Sequence, residues 1–206
     1  MSNHWDGIIT TAELHYLSEC GLVPSTVLEV EVGELRVQHR SEWCFDHFLK
    51  ADAQYGTRSI LGSPFYEAAC LIRDNGKKWI LNNYTATSYF ELFRHFGEIG
   101  WARDWRTGRH VKVKYSKATI KEKVIKLIRT YESISLHGYL KGGHEERRLM
   151  ALRQPYEKIR FDMVHDTLPY EIWSGHHRAA CLAALRVEKV SIVLAIGTDL
   201  AKAEAR

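Results

Sequence analysis

The chain has 206 residues, 45% of them hydrophobic, and a net charge of +4 at pH 7. That is enough apolar material for one sizeable core or two small ones, and no apolar run approaches the roughly 18–20 residues that span a bilayer. The four cysteines (Cys20, Cys44, Cys70, Cys181) form no C-x-x-C pair and the 11 histidines no H-E-x-x-H, which argues against a zinc knuckle, a redox dithiol or a zincin-type protease.

The opening segment MSNHWDGIITTAELHYLSECG is polar and acidic where a signal peptide needs a basic start and an apolar middle, so a cytosolic protein is expected. Residues 10–20 read as a short helix capped by Thr10 or Thr11 and ended by Gly21. VLEVEVGELRV, residues 27–37, alternates apolar and acidic residues and reads as a strand. Ser41 caps an expected helix through 52 with Trp43, Phe45, Phe48 and Leu49 on its apolar face. Ser63-Pro64 opens another over 65–74, since proline suits an early helical position. Residues 88–96 are aromatic-rich (Tyr89, Phe90, Phe93, Phe96) and read as a helix whose rings pack rather than stack on bases.

In the second half, residues 111–113 are a candidate short strand. Ser116 or Thr119 then caps an amphipathic helix with Ile120, Val124, Leu127, Ile128 and Tyr131 inward and its lysines outward, ending near His137-Gly138. Residues 141–150 read as a polar connection, and 158–161 and 170–173 as neighbouring strands with His165-Asp166 in the turn between them. Charge is unevenly spread: net negative over 1–100, strongly positive over 101–160 and near neutral beyond. The basic middle, WARDWRTGRHVKVKYSKATIKEKVIKLIRTYES, fits nucleic acid, a solvated helix face or a wall that attracts a phosphorylated ligand.

The densest chemical signal lies in YEIWSGHHRAACLAALRVEKVSIVL, residues 170–194. A strand runs into Ser174-Gly175-His176-His177-Arg178, an alanine-rich helix follows, and a second strand covers 190–194. The first amides of a helix have no intrahelical acceptors and sit at the positive end of its dipole, so this turn favours an anion. Gly175 lets backbone approach a ligand, and Arg178 is able to grip phosphate oxygens in a bidentate way. The plainer alternative is an ordinary glycine turn with an arginine paired to a surface acid.

These residues resemble the signature of the ParB/sulfiredoxin superfamily, in which a glycine–X–X–arginine turn after a strand holds nucleotide phosphates. The Gly-His-His-Arg form is most similar to the branch that includes the ADP-dependent free serine kinases, and to ParB-like proteins encoded with polysaccharide biosynthesis enzymes. Sulfiredoxins carry a catalytic cysteine where this chain has His176, so sulfiredoxin activity is not expected. Chromosome-partitioning ParB proteins carry Glu-Arg-Arg after the glycine, where this chain has His-His-Arg. The kinase-like proteins have Asp before the glycine, and this chain has Ser174.

The resemblance implies an α/β (α+β) fold of ParB/sulfiredoxin type, with a nucleotide-binding core over 101–206 and a mainly helical segment over 1–100 packed on it. It implies ATP or ADP with Mg²⁺, and phosphoryl transfer to a hydroxyl of an amino acid or sugar. Ser174, Gly175, His176, His177 and Arg178 would bind the nucleotide. His39 and Glu42, the nearest counterparts of a histidine and glutamate that face the phosphate turn in such kinases, join His176 as candidate catalytic groups; Asp166 or Glu42 would help with the metal. Glu42 also has a purely structural explanation, since an acid just after a helix cap is favoured by the dipole alone. The alternatives are a non-catalytic nucleotide- or nucleic-acid-binding module using the basic stretch 103–126, and, behind it, a nuclease, for which no carboxylate cluster suited to two metal ions is evident.

Overall fold

In the computed structural model, residues 9, 11–19, 21–37, 59–99, 101–103, 110–112, 114–139, 149–153 and 170–197 are described. They form a mixed α/β structure with a five-stranded sheet of order β1-β7-β5-β6-β2 and a separate two-stranded ribbon. The strands are β1 (Leu22–Glu31), β2 (Leu35–Arg36), β3 (Trp101–Arg103), β4 (His110–Lys112), β5 (Leu149–Arg153), β6 (Tyr170–Ser174) and β7 (Lys189–Gly197). The helices are α1 (Thr11–Glu19), α2 (Pro64–Asn83), α3 (Ser88–Ile99), α4 (Lys117–His137) and α5 (His176–Ala184). Among the described residues, no helix is long and apolar enough to cross a membrane.

β7 is the spine of the sheet, antiparallel to β1 and parallel to β5, while β6 runs antiparallel to β5 and parallel to β2. Its sequence, KVSIVLAIG, is buried on both faces, as an internal strand with both sides covered must be. The pleat sends alternate residues to different cores. Val190 and Ile192 join the large core under α2, α4 and α5, while Val193 and Ala195 join a smaller one with Leu17 of α1, Leu22 and Ile9.

β1 and β2 are the two edges of the sheet, yet only Val32–Glu34, one 3-10 turn, separates them. Four Cα steps reach at most about 15 Å, whereas the edges of a flat five-stranded sheet lie about 19 Å apart. The sheet is therefore curled. The turn closes on itself, with Glu31 N–H donating to the Glu34 carboxylate at 3.1 Å, and it packs against α5. The strand expected over 27–37 is thus two strands that start earlier, at Leu22, and break at Val32.

Caps fall where side-chain chemistry places them. Ser63 accepts from Tyr66 N–H ahead of Pro64 and starts α2; Ser116 accepts from Thr119 N–H and starts α4, which Gly138 ends at φ 75°. α2 outruns the expected 65–74: it breaks at Gly76, φ 78°, and resumes to Asn83 because Ile80 has core to bury. The helix expected over 41–52 and the strand over 158–161 lie outside the described residues. Of the polar connection expected over 141–150, residues 141–148 lie outside the described residues and the last two are strand: Leu149–Arg153 is a central strand, held at its start by the Tyr139 hydroxyl, which accepts from Leu149 N–H at 2.7 Å and donates to the Ser191 carbonyl at 3.0 Å.

Candidate functional site

The turn singled out in the sequence is the junction of β6 and α5. β6 ends at Ser174, Gly175 takes a left-handed conformation (φ 105°, ψ 25°), and α5 starts at His176. The helical ladder opens with Ala179 N–H donating to the Gly175 carbonyl at 2.9 Å, so the amides of His176, His177 and Arg178 precede it at the positive end of the dipole. A side chain at residue 175 would be strained: φ there is left-handed, and a Cβ would run into Leu149 Cδ2 and sit 3.3 Å from both Nε and Nη2 of Arg178. The Arg178 guanidinium is thus folded back over the glycine, placing its donors beside the same backbone that a ligand would approach.

α5 is positioned by burial. Ala179, Ala180, Cys181, Leu182, Ala183 and Ala184 are all buried, packed against α2 and α4 as well as the sheet. Small residues permit this close approach, and it leaves only the first turn half-exposed. β2 ends in the same direction as β6, and the two are tied by a buried ion pair, Arg36 Nη2 to Glu171 Oε2 at 2.8 Å.

The helices of the first hundred residues wall the turn. Phe65, in the first turn of α2, stacks on His176 (centroids 5.4 Å, interplanar 29°) and meets His177 edge-on at 5.4 Å. Tyr89 of α3, fully buried, brings its hydroxyl to 2.7 Å from His177 Nε2 and packs edge-on against Phe65 and Phe93. On the α4 side, Lys123 Nζ lies 4.8 Å from the centroid of Phe93 and 5.1 Å from that of Tyr115. The expectation that the lysines of this helix point outward fails at Lys123, because the two rings attract its ammonium and shield its stem.

The electrostatics divide the histidines and lysines by role. His177 as a residue is partly exposed, but its ring is enclosed by Phe65 and Tyr89; desolvation, followed by the nearby cations Lys123, Lys126, His176 and Arg178, pulls its pKa down to about 3. The imidazole is therefore neutral at physiological pH. Desolvation and the neighbouring Lys126 also lower the pKa of Lys123, and desolvation raises that of Tyr89 well above its ordinary value. Burial likewise pushes the Cys181 thiol up, leaving it inert.

Of the residues expected in the site, Ser174, Gly175, His176, His177 and Arg178 lie together at the β6–α5 junction. His39, Glu42 and Asp166 lie outside the described residues. Among the described residues, no group of three or more His, Cys, Asp or Glu side chains converges as a metal site would. Sequence reasoning missed Phe65, Tyr89 and Lys123 as neighbours of the turn. The aromatics were legible only as packing groups; Lys123, three residues after Ile120 and four before Leu127, borders the apolar stripe of its helix, which is the signal that separates it from the exposed Lys126. Comparison with family models, with curated proteins and with solved structures found no match for this chain.

Proposed function

We propose that this chain binds a purine nucleotide at the β6–α5 turn and transfers its terminal phosphoryl group to a hydroxyl of a small acceptor, an amino acid or a sugar, as a relative of the ParB/sulfiredoxin superfamily. One observation carries the reading: a left-handed glycine where a side chain would be strained, followed by the first amides of a buried helix, with an arginine folded over it. That arrangement supplies backbone donors and a guanidinium to one small volume, which suits phosphate. Phosphoryl transfer asks the protein mainly to position groups and offset charge, and both are available here.

Arg178 would stabilise the transferring oxygens, with His176 in the same turn. Mg²⁺ would neutralise phosphate charge, with Glu42 or Asp166 as the carboxylates that would help to hold it. A base for the acceptor hydroxyl is sought in His39 and Glu42, which follow Val37 in the sequence, beyond the end of a strand parallel to β6. Calorimetry with ATP, ADP and CTP, beside a DNA shift assay at two salt concentrations, tests the reading. Saturable heat with ATP or ADP is the expected result; salt-sensitive DNA binding without nucleotide heat overturns it.

The second reading, a non-catalytic nucleic-acid-binding module, rests on exposed Lys112, Lys114, Lys117, Lys121, Lys126 and Arg129 along β4 and α4. Those charges are spread over a helix and interrupted by Glu122 and Glu132, which weakens a continuous phosphate track.

A further inference from the structure

Among the described residues the Tyr89 hydroxyl has two polar neighbours, and it has one hydrogen. It lies 2.7 Å from His177 Nε2 and 3.4 Å from the carbonyl oxygen of Lys123. A carbonyl only accepts, so both contacts are hydrogen bonds only if the hydroxyl proton points at Lys123 and Nε2 carries a proton that it donates to the tyrosine oxygen. A neutral imidazole has a single N–H, so Nδ1 is then bare. Each of the three partners comes from a different helix: α3, α4 and α5.

We propose that Tyr89 positions the phosphate turn by holding His177 as the Nε2–H tautomer, so that His177 serves an anion through its backbone amide and not through its ring. This rests on the nucleotide reading of the turn and assigns the helices of the first hundred residues a part in it. The ring is committed to Tyr89 and boxed by Phe65, and a bare Nδ1 presents a lone pair that would repel a phosphate oxygen. The charged groups facing the imidazole, Lys123 and Lys126 from α4 and His176 and Arg178 from its own helix, disfavour the imidazolium form, and Tyr89 is its neutral partner on the α3 side. Charged contact with phosphate is left to the Arg178 guanidinium.

Two conservative variants and one spectroscopic readout test this. Tyr89→Phe keeps the ring and removes the hydroxyl; it should weaken ATP binding about five- to tenfold, the usual range for one lost hydrogen bond, with the circular-dichroism spectrum unchanged. His177→Gln keeps a side-chain N–H able to donate to Tyr89 and should weaken ATP binding less than Tyr89→Phe does, whereas a ring that contacts phosphate predicts a loss as large as that of Arg178→Ala. Imidazole ¹⁵N shifts of His177 at neutral pH should report the Nε2–H tautomer in the ligand-free protein and lose that signature in Tyr89→Phe. An Nδ1–H or doubly protonated His177, or unchanged ATP affinity in Tyr89→Phe, overturns the proposal. The tautomer needs no nucleotide, so failure of the parent to bind ATP would remove the nucleotide reading while the Tyr89–His177 pairing is still judged on its own signal.

Discussion

Arg178 and Gly175 serve the same turn and fail differently when changed. Arg178 is partly exposed, with its Nη1 buried and its guanidinium folded over the Gly175 backbone, so its two possible roles, phosphate contact and packing, are read separately in affinity and in stability. Arg178→Ala is expected to leave the melting temperature within a few degrees while weakening ATP binding by about 1.5–3 kcal/mol, the range for hydrogen bonds to charged groups; calorimetry and a thermal melt on the same sample separate the two. Internal pairing of Arg178 would give the opposite pattern, a lowered melting point with affinity unchanged. Gly175→Ala should damage both, because φ of 105° disfavours any side chain and the new methyl meets Leu149. His177 adds a pH dependence. Its folded pKa of about 3 lies below its ordinary value of 6.5, so between those values the unfolded chain binds the extra proton. Stability is retained above about pH 6.5 and lost progressively as pH falls toward 3, by an amount on the order of a few kcal/mol. Urea midpoints at pH 7, 5 and 4 should fall more steeply in the parent than in His177→Gln, which has nothing to protonate there.

At the scale of elements, α5 carries the site because it is buried along its length except at its start. Ala180 is fully buried in this helix, so Ala180→Leu should overpack the helix layer and cost about 1–3 kcal/mol in a denaturant titration. Much of this element was legible in the sequence. Gly175 and the alanine run marked a closely packed helix start, and Ser116, the 3.6-residue apolar period and Gly138 marked α4 almost to the residue. What escaped did so for physical reasons. β5 is only five residues long and follows a charged stretch, and it is buried on both faces, Leu149 and Ala151 in the large core and Met150 in the small one, so it carries no polar–apolar alternation. The break at Val32 depends on Glu34 closing a turn and on the curl of the sheet, neither of which a local pattern encodes. The neighbours of the turn are 85 or more residues away from it in Phe65 and Tyr89, so their role emerges only from tertiary packing.

Over the whole molecule, the sheet draws on both ends of the sequence: β1 pairs with β7 along nearly its full length, and α2 packs on α5. Groups that attract an anion are likewise divided, between the first amides and Arg178 at the start of α5 and a dispersed face on α4 where Lys117, Lys121, Lys126 and Arg129 are exposed. The two distributions suit different ligands. A nucleotide is held by short-range hydrogen bonds at one turn, whereas a duplex is held by released counterions along a track. Lys117→Glu/Lys121→Glu reverses charge on the outer face of α4 without touching the turn, so the double variant is expected to fold as the parent does and to bind ATP within about twofold of it. Any affinity for duplex DNA should collapse, and in the parent it should already be strongly salt-dependent: four neutralised phosphates would cost roughly a hundredfold between about 50 and 200 mM salt. ATP affinity that fell in step with the charge reversal would place the phosphate-binding surface on α4 instead of at Gly175, and the turn would then be scaffold.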